Sequence, residues 1–311
     1  MQLYVSGSLA LDRIMNFPGK FADHILPDKI HILNVCFLVD GLNEYFGGTA
    51  GNIAYNLSLM GEKPIILGCA GRDFAPYAER LKGLGLSLSG IRTVESQFTA
   101  GAYITTDETD NQITGFNPGA MRERCGYKFP EKHDGPVMAI ISPGNVQDMV
   151  ELPAYFKKAC IPYIFDPGQQ ITALTGEQMA SAIDGSFALC TNDYELELVV
   201  KATGLSRAEL LKRTGALVTT LGEHGSLIAE GSRETKVSPV KVDKALDPTG
   251  AGDAYRAGLL KGLCLGKPLA EAAELGSVCA AFCVAQKGTQ EHSFTMAQFN
   301  EKLTAVFGKS I

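Results

Sequence analysis

Six compact apolar runs punctuate the first two thirds of the chain: Leu3–Ser6, Pro64–Leu67, Val137–Ile141, Pro162–Phe165, Phe187–Cys190 and Leu217–Thr220. Short runs without polar alternation are the pattern of strands buried on both faces of a parallel sheet. Between them the spacing predicts helices over Ala50–Met60, Ala75–Gly83, Val146–Cys160, Gly176–Ala182, Tyr194–Ala202 and Arg207–Arg213. This alternation predicts an α/β fold with a doubly wound, mainly parallel sheet flanked by helices. Further helices are expected over Gly250–Leu265, Leu269–Val284 and Thr295–Val306, where dense Gly and Ala predict close packing of helix on sheet.

Two segments interrupt the rhythm, 13–46 with the apolar run Ile32–Val39, and 97–117. In the second, Ala100–Thr106 and Gln112–Phe116 flank a polar turn and read as a β-hairpin. Together they predict a small β-sheet lid over a ligand crevice. No repeat, low-complexity tract or linker divides the chain, so 1–311 reads as a single domain with an inserted lid.

The chain has 311 residues, 45% of them hydrophobic, which suits a folded protein with a sizeable core. Lys plus Arg number 28 against 34 Asp plus Glu, a net charge of −6. The basic footprint that nucleic acids or anionic membrane surfaces require is missing, so neither is expected as a partner. No apolar stretch approaches the ~18 residues of a membrane-spanning helix, and the N-terminus has neither the basic nor the apolar part of a leader. The eight cysteines are scattered without a Cys-x-x-Cys pair and are expected as buried, reduced thiols of a cytoplasmic protein. The five histidines form no ligand-spaced cluster, which disfavours zinc chemistry.

The sharpest chemical feature is Asp247-Pro248-Thr249-Gly250-Ala251-Gly252-Asp253, directly before a helical pattern. Unpaired N–H groups at such a helix start, aided by the dipole, bind anions, and small residues let a phosphate approach the backbone. Asp253, in the first turn, is then a candidate base for a hydroxyl attacking that phosphate; a plain helix cap is the other reading. A P-loop is excluded, since Gly-x-x-x-x-Gly-Lys-[Ser/Thr] occurs nowhere. A dinucleotide fingerprint is disfavoured, because Tyr255 stands where its third glycine belongs and the motif comes late in the chain.

At these residues the chain resembles the ribokinase-like (PfkB) family of small-molecule kinases, whose late signature is Asp-Thr-x-Gly-x-Gly-Asp. Three further elements follow the family order: Gly47-Gly48-Thr49-Ala50-Gly51-Asn52, Asn192-Asp193-Tyr194-Glu195, and Val218 to Gly225 with its glycine turn. The inserted Pro248 is similar to the adenosine kinases. So are Gly7–Asp12, Phe37–Asp40, Phe116–Met121 and Phe165–Gln170, which resemble the bacterial branch of those enzymes. The amides of Gln169 and Gln170 could pair with a purine edge, since each offers donor and acceptor, and this favours a nucleoside over a free sugar.

The resemblance implies ATP and Mg²⁺ as cofactors, and Asp247 leaves a monovalent cation as a further candidate. It implies that Asp253 takes the proton of the acceptor 5′-hydroxyl while the N–H groups of Gly250, Ala251 and Gly252 stabilise the transferring phosphoryl group. Ser8, Asp12, Gly47, Gly48 and Asn52 would meet the ribose, although Asn52 is equally a residue favoured at helix starts. Asn192 and Glu195 would organise Mg²⁺ through its waters or form a capping box, readings that are compatible. Thr220, Gly222, Gly225 and Thr249 would line the ATP side. Phe116 would stack on the base. The bacterial adenosine kinases tend to carry an aromatic where this chain has Ala102 and a small hydroxyl residue where it has Cys36, while Tyr103 is expected on the opposite strand face. The function expected is an adenosine kinase; a sugar kinase of the same family and a catalytically idle nucleoside-binding protein are the alternatives. Exposed lid residues Phe37, Leu38 and Val39 suggest a homodimer through the lid.

Overall fold

A computed structural model describes residues 1–311. The strands are β1 (Gln2–Ser6), β2 (Ala10–Asn16), β3 (Asp40–Gly47), β4 (Ile65–Gly71), β5 (Ile91–Val94), β6 (Ala100–Thr106) and β7 (Gln112–Asn117). They continue with β8 (Val137–Ile141), β9 (Tyr163–Phe165), β10 (Ala188–Asn192), β11 (Leu217–Thr220), β12 (Ser226–Glu230) and β13 (Arg233–Val237). The α-helices are α1 (Thr49–Leu59), α2 (Ala75–Gly83), α3 (Val146–Lys158), α4 (Gly176–Ile183) and α5 (Asp193–Thr203). After these come α6 (Arg207–Arg213), α7 (Ala251–Cys264), α8 (Leu269–Val284) and α9 (Met296–Phe307).

Nine strands form one sheet in the order β13-β12-β11-β10-β9-β8-β1-β4-β5. From β11 to β5 every pairing is parallel, and the two pairings at the other edge, β11–β12 and β12–β13, are antiparallel. Side chains alternate across it. Leu3, Val5, Met138 and Ile140 enter the core shared with α1, α2, α7, α8 and α9. Tyr4, Ala139, Ile141 and Phe165 enter the core shared with α3 to α6. Burial on both faces explains why these strands are legible as apolar runs. The α/β fold with a lid is therefore as expected: a second, four-stranded sheet has the order β3-β2-β6-β7.

Three local expectations are corrected. The run Ile32–Val39 forms no strand: the lid uses Ala10–Asn16 and Asp40–Gly47 instead. Its apolar side chains do other things, Phe37 packing against Phe17 and Phe21 at 4.8 and 5.0 Å between ring centroids while Leu33 and Leu38 stay exposed. The small residues of α7 serve helix-on-helix contact: a Cβ on Gly258 would lie 2.4 Å from Leu275 O of α8, and one on Gly262 2.4 Å from Ala272 Cα. All eight cysteines are unpaired, but Cys36 and Cys160 are exposed and Cys264 is half-buried. No helix is long and apolar enough to cross a membrane.

Parallel strands deliver their carboxyl ends to one edge, where open α/β sheets form a crevice. Ser8 after β1, Pro143 after β8, Asp166 after β9, Asn192 at the end of β10 and Thr220 at the end of β11 all lie there. The join between lid and main sheet depends on Gly48, which has φ +85° and would place a Cβ 2.5 Å from Ser8 O. A left-handed residue against backbone admits only glycine without strain. Gly48→Ala is therefore expected to cost about 1–3 kcal/mol, read as a lower midpoint in urea unfolding at unchanged slope.

Candidate active site

Gly250 caps α7 in the left-handed region at φ +79°, a conformation that turns the loop so the first helical N–H groups open outward. The N–H groups of Gly250, Gly252 and Asp253 donate to no protein acceptor, whereas Ala251 N–H donates to Pro248 O at 3.2 Å. Three of these first-turn donors are thus available, and Ala251 contributes position instead of a free N–H. The loop behind them is tied down by Asp247, whose two carboxylate oxygens accept from Thr249 N–H (2.9 Å) and Gly288 N–H (3.0 Å). Burial opposes its charge, but those donors hold the Asp247 carboxyl below its ordinary range. Thr249 itself is exposed and outside the cleft lining.

Asp253 lies in that same turn. Asn52, from α1, donates through Nδ2 to Asp253 Oδ2 at 2.8 Å. Burial pushes the Asp253 carboxyl up to about 6, Glu195 adding to the rise, while the Asn52 bond and the Arg256 charge pull it down. In the absence of a ligand Asn52 is thus a partner of the expected base, a role its sequence position alone does not reveal. Asp12 also rises to about 6, through burial and then the neighbouring Asp247 charge. It sits at the Gly47 turn, where a Cβ on Gly47 would lie 2.7 Å from its Oδ2.

Across the lid, Tyr45, Asp12, Ala102 and Phe116 stand in register and share one face. Tyr103 faces the other way, as expected, accepting from Arg13 Nη1 at 3.0 Å beside the Arg13–Glu44 pair. Phe116 is exposed, so its ring is free of the core. Ser8 Oγ accepts from Thr49 N–H at 3.0 Å, which ties it to the start of α1.

A cleft of about 940 Å³ runs from the mouth of α7 along the carboxyl ends of β9 to β11. Asn192, Glu195, Thr220, Gly222, Gly225, Gly250, Ala251, Gly252 and Asp253 all line it. Asn192 and Glu195 form a capping box on α5, Glu195 N–H donating to Asn192 Oδ1 (2.6 Å) and Asn192 N–H to Glu195 Oε2 (2.8 Å). The pair of glutamines is split. Gln169 lines the cleft beside Asn192, while Gln170 Nε2 donates to Gly144 O at 2.7 Å and is committed to the loop after β8. The structure does not bring the two amides together on a purine edge.

Sequence reasoning missed Arg256 and its partner Asp166. They are 6% and 1% exposed, paired at 2.5 Å (Nε–Oδ2) and 2.7 Å (Nη2–Oδ1). Burial works against the guanidinium, and the Asp166 carboxylate more than offsets it. Arg256 packs directly under the α7 mouth, since a Cβ on Gly252 would lie 2.8 Å from its Nη1. A lone cation on the otherwise apolar stretch Ala254–Leu260 is the signal that could have found it, because a buried charge needs a partner.

Comparison with known proteins gives the family and the fold. The family described as pfkB family carbohydrate kinase matches residues 20–296. A Burkholderia thailandensis nucleoside kinase, solved in complex with inosine, is 37% identical and superimposes with a TM-score of 0.85 over 99% of both chains. A complex of that protein with ADP-inosine gives 39% and 0.83, covering 99% of this chain and 97% of that one. A Methanocaldococcus jannaschii nucleoside kinase is 29% identical over 96% of this chain and 95% of its own length. A Thermotoga maritima ribokinase, 22% identical with a TM-score of 0.77 over 99% of this chain and all of its own, shares the fold.

The raised Asp253 carboxyl has a consequence for stability. With a folded value near 6 against an ordinary 3.8, the native state holds more protons than the unfolded state between those values, so this group's contribution to stability falls as pH rises through them. Asp253→Asn is expected to melt above wild type at pH 8 and level with it near pH 4, checked by scanning calorimetry.

Proposed function

The chain belongs to the pfkB family of carbohydrate kinases and is a phosphotransferase with a hydroxyl acceptor; from this premise we propose that it transfers the γ-phosphoryl group of ATP to the 5′-hydroxyl of a purine nucleoside. The observation that carries this reading is the mouth of α7, where the Asp253 carboxylate and three free N–H groups open on one cleft. Asp253 accepts the proton of the 5′-hydroxyl. The oxygen so freed forms a bond to the γ-phosphorus as the bond to the β-phosphate oxygen breaks, and ADP leaves with that electron pair. The N–H groups of Gly250, Gly252 and Asp253, backed by the helix dipole, meet the charge on the transferring group. Asp12, from the lid, and Asn52, from the start of α1, hold the ribose hydroxyls, and Thr220, Gly222 and Gly225 line the bed of the nucleotide.

The chemistry of the donor set fits a hard cation: Glu195 Oε1 carries no protein donor, and carboxylate and amide oxygens suit Mg²⁺ held through its waters. Bound with ATP, Mg²⁺ supplies neutralisation of phosphate charge, and Glu195 and Asn192 are the residues that would hold it. Adenosine is the acceptor proposed first, on the likeness of the motifs to adenosine kinases. Inosine stands beside it, because the relative solved with inosine is 37–39% identical and Gln170 is not free to read the base. Phe116, exposed in the lid row beside Asp12, is the proposed stacking partner of either purine.

We place the enzyme in the cytoplasm on its unpaired thiols. A second copy of the chain is the partner proposed for the exposed lid residues Leu26, Ile30, Ile32, Leu33, Leu38 and Leu42; a monomer in sedimentation equilibrium contradicts that.

Asp253→Asn is expected to retain binding of both substrates and to lose turnover by about three orders of magnitude or more; wild-type turnover removes Asp253 as the base. In a coupled ADP assay adenosine and inosine are expected to outperform ribose and fructose. A preference for ribose would overturn the nucleoside reading, and no ADP with any acceptor would leave an idle binding protein.

A further inference from the structure

Between α8 and α9 a short segment, residues 285–295, runs back across the start of α1. Gln290 is its most enclosed side chain among those near the active site, 1% exposed. Its Nε2 donates to Tyr77 Oη at 2.6 Å and to Asn52 Oδ1 at 3.0 Å. Tyr77 in turn donates to Gly47 O at 2.9 Å, and Asn52 Nδ2 donates to Asp253 Oδ2 at 2.8 Å. The segment is anchored on either side of the amide: Arg80 donates to Gln290 O, and Thr289 Oγ1 donates to Phe46 O at 3.0 Å.

The direction of this chain of bonds is forced. A backbone carbonyl can only accept, so Tyr77 spends its single proton on Gly47 O and can only accept from Gln290. The amide of Gln290 must then turn its nitrogen toward Tyr77, and the remaining N–H of that nitrogen falls on Asn52. Asn52 could present its oxygen to Asp253 only while that carboxyl is protonated; the ionised carboxylate takes only the NH₂ end. With a donor fixed on Oδ1, only the NH₂ end is left for the carboxylate. We propose that Gln290 is a positioning residue for phosphoryl transfer: it holds the Asn52 amide in the one orientation that donates to Asp253, and ties that orientation to the Gly47 turn of the acceptor site. Without it the Asn52 amide is held by the carboxylate alone, so its donation to Asp253 is less well aligned and the base is less firmly placed toward the acceptor hydroxyl.

The proposal rests on Asp253 being the base, and the experiment separates the two. Gln290→Met keeps the length of the side chain and removes both donors. With adenosine and ATP, kcat is expected to fall about tenfold at unchanged KM for ATP. The acid limb of kcat/KM is expected to move up by about half a pH unit, because Asp253 loses a donor while Arg256, Glu195, Asp166, Cys283 and Tyr77, the other groups that face it, stay in place. In an Asn52→Ala background the same substitution is expected to change kcat by less than about twofold, since the route to Asp253 is already cut. A wild-type kcat and acid limb in Gln290→Met, or the full loss persisting in the Asn52→Ala background, overturns the proposal. If Gln290→Met does not fold, Tyr77→Phe removes the hydroxyl that orients Gln290 and gives the same readout; an unmoved acid limb there overturns it equally. Asp253→Asn reports on the base itself. Full turnover in that variant defeats the underlying assignment, whereas an inactive Asp253→Asn beside an unaffected Gln290→Met defeats the Gln290 proposal alone.

Discussion

Free N–H groups and a carboxylate share the first turn of α7, where the dipole favours the anion and burial opposes it. The amides and the dipole attract anions to a place where Asp253 already carries one, and burial drives that carboxyl up to about 6. The surroundings answer with donors. Asn52 reaches Asp253 from α1, and Arg256 sits beneath the turn, kept charged by Asp166. The result is a carboxyl that is ionised near neutral pH yet still able to take a proton, which is what the proposed general-base role needs.

Several elements of the fold converge on that turn. The parallel strands bring Asp166, Asn192 and Thr220 to one edge. The α7–α8 contact, made close by Gly258 and Gly262, seats the helix whose N-terminus faces that edge. Gly48, between β3 and α1, packs closely on the Ser8–Ala10 link from β1 to β2, and Gly47 beside it lies against Asp12. Asn52, on α1, touches Asp253 at the mouth and is linked through Gln290 and Tyr77 to Gly47 at the end of lid strand β3. Closure of the lid over an acceptor would remove water from the same space, strengthening each of these interactions.

What could be read from the sequence follows from locality. The run Asp247–Asp253 is contiguous, so the helix start, the proposed anion site and the proposed base are visible together. Strands such as β8 and β11 are buried on both faces and show as unbroken apolar runs. The lid strands β2 and β3 carry polar residues for a solvent-facing sheet and left no such mark, while the apolar run Ile32–Val39 is a loop because no strand lies beside it. Arg256 and Asp166 are ninety residues apart, and Gln290 is 238 residues from Asn52; such pairings exist only once the sheet has formed. Gln170 shows the reverse error: an amide that suits a purine edge on paper is taken by a loop carbonyl in space.

A crystal structure with adenosine and a non-hydrolysable ATP analogue tests the central interaction most directly. The 5′-oxygen should lie within hydrogen-bond reach of Asp253, about 2.6–3.2 Å, with the γ-phosphate on the N–H groups of Gly250, Gly252 and Asp253. A γ-phosphate seated away from the α7 mouth, or a 5′-oxygen turned to a different carboxylate such as Glu195, would contradict it.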